Sequence, residues 1–542
     1  AQSRYQTKLD IIRNCIYGSD IQSIAAQISK LRFFISLICD CEPDFSKPNF
    51  GIPTLPNLET KFVCANSLIG LKKTRKGESY EMESEEITKK KNELRQIRHD
   101  HFSARNANKK MELRKKDEEA RARLAKLLEN NFASEDAKQM VAWNPYDQNA
   151  CSPFFDSEWM FGITDGFDVV IGNPPYFQMP KKAVSKEQYP YSEGKDQGKQ
   201  NAYKVFVEAG YNQCAPNGIV CLIVQSSLMC DISSMYTREL LLTKTTLKHV
   251  VEFPKKAPTK EGQVFKSVLQ GTCIALFSKF LPSNNAEFGI SSNNDTTTIK
   301  KMRFEPIAQN KCLSFYPIGY YFPVVKPGEF ALIEKIFNKS QFFKNYIETI
   351  AQGDFNLTND KHHFGTTPTK TKMFRGKHIH RYYMDSEPEE YIIGDFKSEQ
   401  AKRHSERDYL ITQNISGTTD PYRFNCCINI KEVSLYGHSV NKISLKEGND
   451  AKYFMALINS RLMDWYFRKT SSNNHVNGYE IESLPIPLDT SRQQEISSLV
   501  SQILTLKAEG VADTRDLEED IDQIVYKLYG LSDEEIRLVE GR

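Results

Sequence analysis

No stretch of the 542 residues is apolar for long enough to cross a membrane as a helix. Roughly 20 consecutive apolar residues are needed. The best run, Gly218 to Met229, is shorter and contains Gln225, Ser226 and Ser227. The first residues do not read as a secretory signal either. The 12 cysteines are scattered, with no Cys-x-x-Cys pair and no histidine at zinc spacing; Cys39/Cys41 and Cys426/Cys427 stand closest. A disulfide framework belongs to short secreted chains, so these thiols read as reduced, with no metal site and a cytoplasmic location. Charge of one sign is missing as well. A net charge of +3 excludes a uniformly basic surface, so a polyanion partner would have to be met by local stripes. Lysine and arginine do gather at Lys181-Lys182, Lys195 to Lys199, Lys255 to Lys260 and Lys370 to Lys377.

What is present is the composition of a globular protein, 39% hydrophobic and 26% charged, on a chain too long for one core. Residues 1–71 alternate between helix and strand patterns. Cys15 to Asp20 reads as a short strand ending on an acid, and Lys61 to Asn66 as another ending on a polar side chain. Between them Ile24, Ile28, Leu31, Ile35 and Ile38 recur at helical spacing. Lys72 to Asn131 is dense in Lys, Arg and Glu and lacks proline, which predicts a charged helical insertion, one or two long exposed helices folded as a hairpin.

From Phe167 the strand–helix rhythm returns. Phe167 to Gly172 is a continuous apolar strand of the fully buried kind. Asn201 to Cys214 is helical, and Ile219 to Val224, His249 to Phe253 and Thr272 to Phe277 are further buried strands. This alternation predicts an α/β fold with a doubly wound, mostly parallel sheet over residues 1–280. The Asn-, Ser- and Thr-rich stretch from Ser283 to Thr298 reads as a linker. Residues 300–488 form a mixed α/β segment, and 489–542 an amphipathic helical tail.

The strand at Phe167 runs straight into Asn173-Pro174-Pro175-Tyr176. Ligands of open α/β sheets bind at the carboxyl ends of strands, which is where this tetrapeptide falls. Its residue types suit methylation of an amino nitrogen conjugated to a π-system. Such a nitrogen is a poor nucleophile because its lone pair is delocalised. The Asn173 side-chain oxygen and the Pro174 carbonyl can both accept its N–H bonds, and the two prolines stiffen the turn that aims them. Tyr176 offers an aromatic face on which an extruded base can stack.

The tetrapeptide resembles the catalytic signature of amino-group methyltransferases dependent on S-adenosylmethionine. More distributed matches resemble the adenine-N6 DNA methyltransferases of bacterial restriction–modification systems, in particular the single-chain type IIG enzymes. The Ile16 to Ile21 run, followed by Ala25 to Leu37, is similar to their second motif, and Phe62 to Leu68 to their third. The resemblance implies that Asp20 and Ile21 meet the cofactor ribose, and that Asn66, in place of a usual Asp, meets the cofactor adenine with Ser67. It also implies that Phe265 holds the flipped base opposite Tyr176. Arg375 to Tyr382 and the stretch from Leu457 to Pro487 are similar to a target-recognition domain. Arg375, Lys377, His378 and Arg381 are its candidate contacts to double-stranded DNA. One family feature is missing: no Gly-x-Gly loop precedes Asp20. By the resemblance, that loop, the first strand and any nuclease domain would lie upstream of Ala1. The competing expectation is a catalytically inactive DNA-recognition fragment.

Overall fold

β1 (Gly18–Asp20) and β2 (Phe62–Cys64) lie side by side and parallel, with Gly18 opposite Phe62 and Asp20 opposite Cys64. Parallel neighbours require a crossover, and α2 (Ser23–Ile38) supplies it, preceded by α1 (Arg4–Cys15). The computed structural model describes residues 4–541 apart from 72–84, 130–133, 148, 181, 197, 199, 258, 266–269, 418 and 472–473. Lys72 and Asn131, the expected ends of the charged insertion, and Lys181 and Lys199 of the basic clusters lie outside the described residues. None of the described helices is long and apolar enough to cross a membrane. The chain divides into two compact units, residues 1–195 with 200–220, and residues 196–199 with 221–542.

In the first unit, the charged segment forms two helices, α3 (Glu85–Ser103) and α4 (Ala107–Leu127), packed against each other. They are not merely solvated. Leu94, Ile97, Leu113, Ala120 and Leu124 make a stripe at helical spacing that shares a core with Val63, Phe154 and Trp159. Asp117 is buried at the centre of the hairpin. Its two oxygens accept from Arg98 Nε at 2.8 Å and Arg121 Nε at 2.6 Å. Burial alone would push its carboxyl up, but the two guanidiniums outweigh that and hold it below the usual range.

β3 (Phe167–Gly172) follows, entered through Gly166 at φ +87°. A Cβ at Gly166 would stand 2.7 Å from the Ala215 backbone nitrogen at the start of β4 (Cys214–Gln225). Sequence pattern predicts a fully buried strand here, and the structure differs: Val169 is 61% and Ile171 79% exposed. β3 is the terminal strand of its sheet. Val169 and Ile171 are two residues apart, so they share one face, and no described residue buries it. Helix α2 shows the same departure: Ile24, Ile28, Leu31, Ile35 and Ile38 face out, and Ala26, Lys30 and Leu37 are buried instead.

In the second unit, β4 continues into a sheet with strand order β4-β6-β5-β7-β8, formed by β5 (Thr246–Phe253), β6 (Thr272–Ser278), β7 (Glu287–Ser291) and β8 (Glu305–Ala308). The α/β class holds, but this part of the sheet is mixed: β5 runs antiparallel to β6 and parallel to β7, and β7 antiparallel to β8. The linker expected at Ser283 to Thr298 contains β7. Phe288 and Ile290 alternate inward and are fully buried, a two-residue period masked by the surrounding Asn and Ser. Further along, strands at Ile347–Gln352, Val440–Leu445, Leu410–Gln413 and Cys426–Ile428 form one four-stranded antiparallel sheet in that order. A second joins Phe364–Gly365, Glu390–Ile392, Lys372–Phe374 and Ser434–Tyr436. Helices Gln493–Ala508 and Arg515–Tyr529 close the chain's core.

Two carboxyls of this unit are buried with little compensation. Burial raises Glu252, at the end of β5, to about 7 against the pull of the Asn293 N–H, and raises Asp522 to about 7 against the Arg461 backbone N–H and guanidinium. Both folded values lie above those of an unfolded chain, near 4. Their contribution to stability is therefore full at low pH and is lost as pH rises through about 7. A Glu252→Gln, Asp522→Asn double variant is expected to flatten the decline in melting temperature between about pH 5 and pH 8. Parallel curves for the variant and the parent would refute this.

Candidate active site

The residues expected at the cofactor end come together at the carboxyl ends of β1 and β2. Asp20 closes β1 with its side chain exposed; one oxygen accepts from the Gln22 N–H at 2.8 Å, and its carbonyl accepts from Ala65 N–H at 2.9 Å. Ile21 lies beside it, exposed. Asn66 and Ser67 follow β2. The Asn66 side-chain oxygen accepts from Leu68 N–H at 3.2 Å, and the Ser67 hydroxyl meets the Ser19 hydroxyl at 2.9 Å. Ser19 was not among the sequence candidates. The signal that finds it is the pairing itself: parallel register sets the last residues of β1 beside those that follow β2.

This donor set fits the ribose and adenine of S-adenosylmethionine. An exposed carboxylate at a strand end suits a vicinal diol, and a carboxamide with two hydroxyls can both donate and accept along an adenine edge. A cavity of about 210 Å³ elsewhere in the unit does not belong to this set. It is lined by Tyr17, Lys61 and Trp159 among others, and Tyr17 and Lys61 stand at the opposite, amino ends of the two strands.

The tetrapeptide stands at the end of β3 in the same unit. Pro174 is buried, which fixes the turn, whereas Asn173 and Pro175 are exposed and Tyr176 is half-buried. The chain beyond it is anchored. Met179 N–H donates to Gln200 at 2.7 Å and Ala202 N–H to Phe177 at 3.0 Å, fastening this segment to the start of helix Ala202–Gln213. Leu68, just past Ser67, shares a core with Met179, Tyr189, Ala202, Val205 and Ala209. The Tyr189 hydroxyl donates to the Leu68 carbonyl at 3.0 Å, and Gln213 to the Ser67 carbonyl at 3.3 Å. One packed cluster therefore carries both the end of β2 and the segment leaving the tetrapeptide. Phe265 stands half-buried in the second unit.

The four candidate DNA contacts prove unequal. Lys377 is exposed and paired with Glu389 at 2.7 Å, and Arg375 pairs with Glu390. His378 is buried; its Nδ1 accepts from the Arg375 N–H at 2.9 Å and its Nε2 meets Glu389 at 2.7 Å. Arg381 is held internally, donating to Glu518 at 2.7 Å and to the Asn459 carbonyl, and its guanidinium lies 3.9 Å from the Tyr422 ring centroid. The structure thus gives His378 and Arg381 work inside the fold. Arg381→Ala is expected to cost about 1–2 kcal/mol, because Glu518 loses the guanidinium and keeps the Thr514 hydroxyl, and the Asn459 carbonyl loses a donor. Urea denaturation would show this, whereas a pure DNA contact would leave stability unchanged and weaken DNA binding alone.

Residues 14–259 match the family model of the Eco57I restriction-modification methylase, residues 151–371 that of the N-6 DNA methylase, and residues 371–486 the TaqI-like C-terminal specificity domain. A protein of Methanocaldococcus jannaschii, named as a type II restriction enzyme and methyltransferase, is 22% identical over 606 aligned positions, spanning 97% of this chain and 49% of the relative. The chain thus spans about half the length of the curated relative it matches. Among solved structures, the type IIG restriction endonuclease BpuSI is 12% identical with a TM-score of 0.30, over 84% of this chain and 75% of that one. The ATP-dependent type ISP restriction-modification enzyme LlaBIII bound to DNA is 10% identical with a TM-score of 0.43, over 92% of this chain and 35% of that one.

Proposed function

We propose that this chain, an adenine-N6 DNA methylase region joined to a TaqI-like specificity domain, methylates the amino nitrogen of adenine in double-stranded DNA within a restriction–modification system. One observation carries the reading: a single packed cluster joins the end of β2, where the cofactor candidates stand, to the segment that leaves Asn173-Pro174-Pro175-Tyr176. S-adenosylmethionine, when bound, supplies an electrophilic sulfonium methyl.

The chain's own residues do the rest. Asp20 holds the ribose hydroxyls with Ile21 beside it, and Asn66 and Ser67 meet the adenine. The Asn173 side-chain oxygen and the Pro174 carbonyl accept the two N–H bonds of the target amino group. Those bonds draw the nitrogen lone pair out of conjugation and aim it for attack, a preorganised acceptor pair that needs no rearrangement during reaction. Tyr176 stacks on the base, which has to leave the duplex to reach the end of the strand. No general base is required before transfer, because the proton is released only after the nitrogen has gained its methyl.

Recognition falls to residues 371–486, through Arg375 and Lys377 at the phosphate backbone, where most protein–DNA hydrogen bonds are made.

Calorimetric titration with S-adenosylmethionine tests the cofactor end. Asp20→Ala is expected to weaken binding by roughly 10- to 100-fold, the value of a hydrogen bond to a charged group. Equal affinities for the two proteins would remove Asp20 from the site.

A further inference from the structure

Two cysteines far apart in sequence converge beside Ile21. Ala65 and Ser152 are parallel bridge partners, held by Ser152 N–H to the Cys64 carbonyl at 2.8 Å and Asn66 N–H to the Ser152 carbonyl at 3.0 Å. One step back in the same register, Cys64 and Cys151 are neighbours, and in parallel pairing they point to the same side. Both thiols donate to a single acceptor, the Ile21 carbonyl, each at 3.3 Å. Adjacent strands are about 4.8 Å apart, inside the roughly 4.4–6.8 Å Cα separation that a disulfide spans.

We propose that Cys64 and Cys151 form an oxidisable thiol pair, a modification site at which a hydroperoxide closes a disulfide across the end of β2. The two sulfurs have different parts. Cys151 is exposed and meets the oxidant, whereas Cys64 is half-buried. Burial and the hydrogen bond and charge of Cys151 push the Cys64 thiol up to about 12, so it keeps its proton while its neighbour reacts. The Cys151 sulfur gives up its proton and attacks the peroxide, breaking the O–O bond; one oxygen stays as the sulfenic acid and the other leaves, with a proton, as an alcohol or water. The Cys64 sulfur then displaces the sulfenic hydroxyl, which departs as water with the thiol proton, and the S–S bond forms. Two thiols and one hydroperoxide thus give one disulfide, one alcohol and one water. Closure removes both S–H donors from the Ile21 carbonyl. The site stands on geometry alone and does not depend on the cofactor reading.

Peptide mapping of the full chain tests it. The folded protein is treated with hydrogen peroxide, its remaining thiols are alkylated, and the digest is analysed by mass spectrometry. The expected product is a Cys64–Cys151 linked peptide, two hydrogens lighter than the sum of its parts and reversed by dithiothreitol, at an oxidant dose that leaves the exposed Cys15 and Cys39 unlinked. Cys64→Ser is expected to trap Cys151 as a dimedone-reactive sulfenic acid, and Cys151→Ser to leave Cys64 unoxidised at the same dose. Both positions reach the surface, so neither variant should fail to fold. Oxidation of wild-type Cys151 without linkage to Cys64, or linkage of either residue to Cys15 or Cys39 in comparable yield, would overturn the proposal.

Discussion

Asn173→Ala is expected to lower methyl transfer to DNA by at least about 100-fold while leaving the melting temperature unchanged. Removing one preorganised acceptor or donor from a site of developing charge typically costs about 10²–10³ in rate, and Asn173 supplies one of the two acceptors proposed for the target nitrogen. The side chain is exposed at the end of β3, so its truncation leaves no buried group unsatisfied and no cavity. The expectation is therefore a loss in rate with stability and cofactor affinity retained. Transfer of a radiolabelled methyl group, measured beside thermal unfolding, separates the two. A variant that melts early would make Asn173 a structural residue, and one that keeps its rate would remove it from the mechanism. Asn173→Gln lengthens the same carboxamide by one methylene. It is expected to recover little, because the acceptor must lie within hydrogen-bond reach of the nitrogen along a fixed direction.

The second large effect is on stability. Asp117→Ala is expected to destabilise the first unit by roughly 3–5 kcal/mol, the usual consequence of removing one member of a buried ion network. Asp117 is fully buried, and both Arg98 and Arg121, themselves under one-tenth exposed, rely on it. Each arginine also donates to backbone carbonyls, Arg98 to Trp159 at 2.8 Å and Arg121 to Trp143. Losing the carboxylate strands two guanidiniums where water cannot reach and loosens the contacts that tie the hairpin to the core. Because that core contains Val63, next to Cys64 at the end of β2, weaker S-adenosylmethionine binding is expected to accompany the loss. Denaturant titration gives the free energy, and hydrogen exchange should show α3 and α4 opening first. A variant as stable as the parent would mean that the arginines satisfy themselves on the carbonyls alone.

Where the candidate residues lie in the fold could be read from the chain, because the signals are local. An apolar strand ending on Asn-Pro-Pro-Tyr, an acid closing β1 and a polar pair after β2 each lie within a few residues. Parallel pairing then brings Asp20 and Ser67 to one edge without further information. What could not be read is set by distant partners. Arg381 resembles a nucleic-acid contact in its basic neighbourhood, yet Glu518, 137 residues on, claims it. His378 is likewise claimed by Glu389. The meeting of Cys64 with Cys151 depends on a bridge formed across the whole helical hairpin. The apolar pattern of β3 says that the strand is built for burial on both sides, and says nothing of which chain segment does the burying. At β7 the failure was of another kind: composition outweighed period, and the alternating Phe288 and Ile290 were hidden among asparagines and serines.

The most direct test of the central claim is the base that carries the mark. DNA from cells bearing the gene for this protein should be read by long-read sequencing, beside DNA from cells bearing the Asn173→Ala form. The expected result is N6-methyladenine at a single recurring sequence in the first sample and its disappearance in the second. Marks on cytosine, or adenine marks that persist unchanged when Asn173 is replaced, would contradict the assignment of this site to adenine-N6 methylation.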